Sequence, residues 1–311
     1  MAVVVFGSIN MDLVVRTPRL PAPGESLPGR EFYTAPGGKG ANQAVAAARL
    51  NAPTRLVARV GGDSFGPVLC QNLTNAGVDI SAVLTDAETS SGVALIAVDD
   101  TAQNAIIFVH GANGRVNRSD VERLEAVLAG AKVLLLQLEV PMEASLAAAR
   151  LARRQGLTVI LDPAPARELP PEFYQLVDII TPNEVEAGQL AGFPVKTAQE
   201  ANRAAHILLE RGVKTAVIKL GAQGVAYAGQ TGSGQVAEDF VPAFKVSAVD
   251  TVAAGDAFNG GLAVALVEGK PLPVAIQWGA AAGALSATKP GAQPSMPGRA
   301  EFEAFLKERL G

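Results

Sequence analysis

Cysteine is almost missing from this 311-residue chain: Cys70 stands alone. It can form no internal disulfide, and no neighbouring Cys or His completes a zinc set, so a buried structural thiol is expected. Long apolar runs are missing too. Although 49% of the residues are hydrophobic, no uncharged stretch reaches the ~18 residues that a membrane span needs, so the chain reads as water-soluble with no membrane partner. No basic segment precedes the apolar residues 2–6, which read as a strand and not as a secretory leader, and the cytoplasm follows as the expected location. Charge leans little to either sign: 26 basic residues face 30 acidic ones, for a net −4. Without a basic stripe, nucleic acid is not an expected partner. An anionic ligand must be held locally, by backbone dipoles and a few cations.

What the chain does have is a rhythm. Apolar runs at residues 2–6, 56–60, 133–137, 158–161, 177–180 and 215–218 alternate with helix-like stretches. That pattern predicts an α/β fold, a doubly wound and mostly parallel sheet with helices on both faces. Residues 12–36 and 92–110 break the rhythm with alternating polar and apolar residues, and are expected to pair as a small antiparallel β lid. The large α/β catalytic domain then comprises residues 1–11, 37–91 and 111–311. Four late strands end in polar residues, Glu139, Asp162, Asn183 and Lys219. In an open parallel sheet the carboxyl ends of the strands line the ligand crevice, so these side chains should converge.

Two stretches carry chemistry. In Asp250-Thr251-Val252-Ala253-Ala254-Gly255-Asp256-Ala257-Phe258-Asn259-Gly260-Gly261, small residues at 253–255 let free amides at a helix N-terminus face a ligand and stabilise developing phosphoryl charge. Asp256 in the first turn can be a partner of the helix dipole. Beside an anion-binding turn it also suits a base that takes a proton from an attacking hydroxyl. The second stretch is Gly37-Gly38-Lys39-Gly40-Ala41-Asn42-Gln43, opening a helix expected over residues 44–50. Its glycines permit close backbone approach, and Asn42 can both donate to and accept from hydroxyls. It is not a Walker A loop, because Tyr33 and Gly40 stand where the first glycine and the Ser or Thr would be.

Gly62-Asp63-Ser64-Phe65-Gly66 has the form of a hydrolase nucleophile elbow. His110 precedes no obvious strand-end acid and His206 lies in a helical run, so Asp63 or Ser64 is expected to cap a helix instead. Gly232-Ser233-Gly234-Gln235-Val236-Ala237 has a loose dinucleotide pattern but reads as a hairpin turn between alternating segments. Trp278, in an Ala-rich helix, is expected in the core.

Together with Asn183-Glu184-Val185-Glu186, with residues 162–169 (Asp-Pro-Ala-Pro-Ala-Arg-Glu-Leu) and with Gly291-Ala292-Gln293-Pro294-Ser295, the two stretches resemble the PfkB carbohydrate kinase family. The likeness runs in order from Gly7-Ser8-Ile9-Asn10-Met11-Asp12 to Ser295, and is strongest to members that phosphorylate ribose. It implies ATP-dependent transfer to a sugar hydroxyl. Asn10, Met11, Asp12, Gly38, Lys39, Gly40, Ala41, Asn42 and Glu139 then correspond to sugar-binding positions, Asp256 to the catalytic base and Ala253, Ala254 and Gly255 to the anion hole. Asn183, Lys219, Leu220, Gly221, Ala222, Gln223, Gly224, Gly255 and Ala280 correspond to the nucleotide site. Asn183 and Glu186 resemble a motif tied to Mg²⁺ through water. Asp250, Val252, Ser286, Lys289, Gly291 and Ser295 resemble a site for a monovalent activator, K⁺. The resemblance also implies a homodimer formed through the lid. Two residues depart from it: Lys219 stands where a threonine can occur, and Ala280 replaces a histidine found near adenine in some members. The residues leave open a relative acting on deoxyribose, a hexose or a nucleoside, although only 5% of the chain is aromatic. A silent sugar-binding sensor and a Ser64 hydrolase are the readings from other classes.

Overall fold

The computed structural model describes residues 1–101, 103–230 and 235–310. Thirteen strands follow in chain order: β1 Ala2–Phe6, β2 Asn10–Arg16, β3 Glu31–Gly37, β4 Thr54–Gly61, β5 Asp79–Asp86, β6 Gly92–Val98, β7 Asn104–Val109, β8 Ala131–Leu136, β9 Thr158–Leu161, β10 Ile179–Ile180, β11 Thr215–Lys219, β12 Gly224–Gln230 and β13 Val236–Pro242. Nine form one sheet in the order β13-β12-β11-β10-β9-β8-β1-β4-β5. All pairings from β11 to β5 are parallel, and β12 and β13 add antiparallel at the far edge.

Alternation along single strands shows why the apolar runs are continuous. Val3, Val5, Val133 and Leu135 enter one core cluster, while Val4, Phe6, Leu134 and Leu136 enter another. Successive side chains point to opposite faces, and helices cover both, so no position on these strands is left for a polar residue. Trp278 packs edge-on against Phe302, ring centroids 5.2 Å apart, in the first of these clusters. Cys70 is only half-buried at the margin of that cluster, not enclosed as expected, because its helix Phe65–Asn75 lies on the surface and buries only one stripe.

The other four strands form a second sheet in the order β3-β2-β6-β7. Its outer pairings are antiparallel, but β2 and β6 run parallel, so the sheet is mixed where an antiparallel one was expected. The chain leaves this sheet after β3, builds β4, β5 and two helices of the main layer, and re-enters in the direction it first took. The expected turn at 232–237 lies partly outside the described residues; the strands beside it pair antiparallel, with Gln230 opposite Val236.

The topology sets where a ligand can enter. β1 lies between β4 and β8, so the winding reverses between β1 and β8, and the ends of these two strands diverge into a crevice. Residues 7–9 carry the chain from β1 into β2, and Gly38 carries it from β3 into the helix Lys39–Arg49. These two connections, of the four between the sheets, therefore cross the mouth of the crevice. No described helix is long and apolar enough to cross a membrane.

Candidate active site

The mouth of the crevice is tied together across the reversal point. Ser8, just past β1, donates its hydroxyl to Glu139, just past β8, and Glu139 Oε2 also accepts Lys39 N–H at 3.0 Å. Gly40 N–H donates to Ser8 Oγ at 3.3 Å. The helix consequently begins at Lys39, five residues before the stretch expected from its apolar pattern, with Asn42 and Gln43 in its first turns. Asp12 reaches the same place from β2. A side chain on Gly37 would begin 2.4 Å from its carboxylate, so this approach requires glycine.

Asp256 faces this group from the opposite side. It occupies the first turn of the helix Ala254–Val267 and is buried. Asn42 Nδ2 donates to its Oδ2 at 2.9 Å and Gln43 Nε2 to its Oδ1 at 3.1 Å. Gln293 Nε2 in turn donates to Asn42 Oδ1 at 3.2 Å, and Gln137 Nε2 to Gln43 Oε1 at 2.6 Å. The carboxylate is thus oriented by two amides that are themselves held. Ala253 precedes the helix with φ 59°, a left-handed conformation that costs a residue with a Cβ about 1 kcal/mol or more. No side chain caps the helix. Its first-turn amides are of the kind that bind anions, except that Ala254 N–H turns back onto Thr251 O at 3.2 Å.

The charges here are unbalanced. Burial raises the Asp12 pKa to about 7, with help from Glu139 and Asp256. Burial likewise pushes Asp256 up, and Asp162 adds to this; Lys39 and the amides of Asn42 and Gln43 oppose it. Desolvation works against the charge of Lys39, but Asp256, Asp162, Glu139 and Glu186 outweigh it and hold its pKa above the ordinary lysine value. Five carboxylates therefore share the site with two ammonium groups, Lys39 and Lys219. A base with a raised pKa, held beside donors for an oxyanion, is equipped to deprotonate an alcohol as it attacks an electrophile.

The sequence profile described as pfkB family carbohydrate kinase matches residues 2–299. The chain belongs to that family. It is 42% identical over 303 residues to a ribokinase of Haemophilus influenzae, covering 97% of each chain. A deoxyribokinase of Salmonella typhimurium is 36% identical over 307 residues, covering 98% of this chain and 99% of that one. Among solved structures, an Arabidopsis thaliana ribokinase complexed with ribose and ATP superposes with a TM-score of 0.89 at 35% identity, covering 98% of each chain. The protein is thus a carbohydrate kinase, a phosphotransferase with a ribokinase-like fold.

In this kinase the expected positions fall into three groups. Asn10, Met11, Asp12, Gly38, Lys39, Gly40, Ala41, Asn42, Glu139 and Asp256 line or back the mouth of the crevice; Asn10 Oδ1 accepts from Asn113 Nδ2 at 2.7 Å, and Met11 is buried. Lys219 ends β11, and Leu220 buries itself while Gly221, Ala222 and Gln223 form an exposed turn into β12 at Gly224. Ala280 is half-buried on the helix Leu272–Ser286. Asn183 and Glu186 form a reciprocal capping box at the helix Glu184–Ala191, each accepting the other's N–H at 2.8 Å. In the third group, Asp250 accepts from Val252 N–H at 3.0 Å and Gly291 N–H at 2.9 Å, and Ser286 and Ser295 share a buried 2.7 Å contact. Lys289 points away to Glu301.

Two residues at the centre had no individual role assigned from the sequence, Gln43 and Asp162. Gln43 Nε2 donates to Asp162 Oδ2 at 3.0 Å as well as to Asp256, and Lys219 Nζ donates to Asp162 Oδ1 at 3.1 Å. Position gave a signal for both, since Asp162 is one of the four strand-end groups and Gln43 adjoins Asn42. Ser64 is exposed and carries no triad: Asp63 Oδ1 caps the helix Phe65–Asn75 through Phe65 and Gly66 N–H, and His206 pairs with Glu238.

Proposed function

We propose that the protein transfers the γ-phosphoryl group of ATP to the primary 5-hydroxyl of D-ribose, giving ribose 5-phosphate. The observation that carries this reading is the buried Asp256, oriented by Asn42 and Gln43 beside an uncapped helix start. Ribose binds with its hydroxyls against Asp12, Asn42 and Glu139 and the backbone at Gly38. Asp256 takes the 5-hydroxyl proton as that oxygen attacks the γ-phosphorus in line, and the bond to ADP breaks. The first-turn amides at Ala253 to Gly255, less the engaged Ala254 N–H, and the Lys39 ammonium meet the charge on the transferring group.

The second sheet, residues 12–36 and 92–110, acts as a lid over the unit formed by 1–11, 37–91 and 111–311, excluding water as a competing acceptor. Its exposed Phe32, Ile107, Phe108 and Val109 are the surface through which two copies pair. ATP as the donor assigns the reaction to the cytoplasm.

Mg²⁺ fits the site. Burial and Asp162 raise the Glu186 pKa, the mark of a carboxylate pair that a cation would relieve. No cluster of three or more His, Cys, Asp or Glu suited to a metal occurs among the described residues, so the ion would arrive on the ATP phosphates, with Asn183 and Glu186 reaching it through water. Mg²⁺ supplies charge neutralisation on the phosphates. For K⁺, the oxygen set of Asp250, the Val252 carbonyl, Ser286, Gly291 and Ser295, with Lys289 turned outward, suits a hard cation. Bound there, it would brace the segments behind the 253–255 turn.

The deciding experiment compares kcat/KM for ribose, deoxyribose, fructose and adenosine with Mg-ATP and K⁺. Preference for ribose supports the reading; preference for deoxyribose would transfer the assignment to the acceptor named for the Salmonella relative. Sugar binding without ATP consumption would make the protein a sensor.

A further inference from the structure

The Asp162 carboxylate is 2% exposed, yet it binds two groups that belong to different halves of the reaction. One oxygen holds Lys219, and the other holds the Gln43 amide that also donates to Asp256. A single nitrogen therefore bridges two carboxylates. Gln43 is fully buried and its oxygen is fixed by Gln137, so the bridge cannot turn away. Lys219 Nζ lies 3.3 Å from where a side chain on Gly255 would begin and 5.9 Å from the centre of the Phe258 ring. The ammonium is suspended over the first turn of the helix that bears Asp256.

The pair's side chains are 13% and 2% exposed, so water screens neither charge well. The charged groups acting on Asp256 come from several elements, Asp12 on β2, Lys39 at the start of its helix and Asp162 after β9, and Lys219 at the end of β11 lies over the adjoining turn at Gly255. Glu139 and Glu186 act through Lys39. Of these, only Asp162 and Lys219 oppose each other directly while touching the bridge or the turn.

We propose that Asp162 is a positioning residue that pins the Lys219 ammonium over the 253–255 turn and, through the shared Gln43 amide, tunes the basicity of Asp256. The inference rests on the reading of Asp256 as the base. Asp162 and Lys219 form a charge-balanced unit, and removing either half leaves the other half's field acting on Asp256.

The test is the acid limb of the kcat–pH profile, at saturating sugar and Mg-ATP, in three variants. Asp162→Asn keeps an acceptor for Gln43 and leaves Lys219 unopposed, so the limb moves down by about one pH unit. Lys219→Thr leaves Asp162 unopposed; the limb moves up by about the same amount and KM for ATP rises. The double variant returns the limb close to that of the parent. A limb unmoved in both single variants, or moved in the same direction, overturns the proposal and reduces Asp162 to a structural brace. A parent enzyme that consumes no ATP with any sugar overturns the reading of Asp256, and this inference with it.

Discussion

Strand β1, Ala-Val-Val-Val-Phe, is buried at every residue, whereas β7, Asn-Ala-Ile-Ile-Phe-Val, is exposed at every residue. Their compositions are nearly alike. β1 lies inside a nine-stranded sheet covered on both faces, and β7 is one of the two edges of a four-stranded one. Apolar residues on an unprotected edge are a standing cost unless something covers them. The difference teaches that the chain's own helices cover both faces of the large sheet, whereas β7 in the small sheet is left uncovered. The candidate site takes Asp256 and the strand-end acids from the covered, complete part and Asp12 from the small sheet.

Removing chemistry from the complete part should have the largest effect. Asp256→Asn should lower kcat by ~10²–10⁴, at least ~2.7 kcal/mol of lost transition-state stabilisation, with modest change in ATP affinity. Near-normal turnover would remove the base from the mechanism. The packing contrast comes next. Leu135→Ala, near the end of β8 and fully buried, should cost about 2–5 kcal/mol in urea unfolding. Ile107→Ala on β7 should cost no more than about 0.5 kcal/mol in the isolated chain; equal costs would erase the contrast.

A smaller effect is expected at the exposed edge itself. Phe108→Ser should weaken self-association by about 1.5–3 kcal/mol, read as a rise in the monomer fraction by sedimentation equilibrium. An unchanged mass distribution would mean that the edge is covered in some other way.

A further effect is electrostatic and lies where the two parts meet. Folded Asp12 holds its proton up to about pH 7, whereas the unfolded chain releases it near 3.8. Between those values the folded state carries the extra proton, so stability falls as pH rises through the window. Urea midpoints of the sugar-free protein should show this decline, and Asp12→Asn should flatten it. Sugar binding should strengthen over the same rise, because charged Asp12 is the better acceptor. A slope identical in the variant would show that Asp12 is not desolvated by the crevice.

Much of this was readable in residue order. Each uninterrupted run of Val, Leu and Ile announced a strand buried on both faces, and the three small residues before Asp256 announced a helix start with an acid in its first turn. The extended backbone of 10–16 and 92–98 was legible as well, but its parallel pairing was not, since relative direction depends on the path through β4 and β5. Gln43 shows the limit most clearly. Nothing in a glutamine after an asparagine says that its amide will bridge Asp162 and Asp256, 119 and 213 residues further along.

By itself, then, the order of residues determined the periodicity of each element and which side chains could do acid–base work, because both are local properties of backbone and side chain. Tertiary structure alone decided that β1 is core and β7 is edge, that Lys219 is held over the turn at Gly255, and that burial would raise Asp12 and Asp256 together. Those depend on which surfaces lose water and which charges become neighbours, and both are set only when distant strands share a sheet.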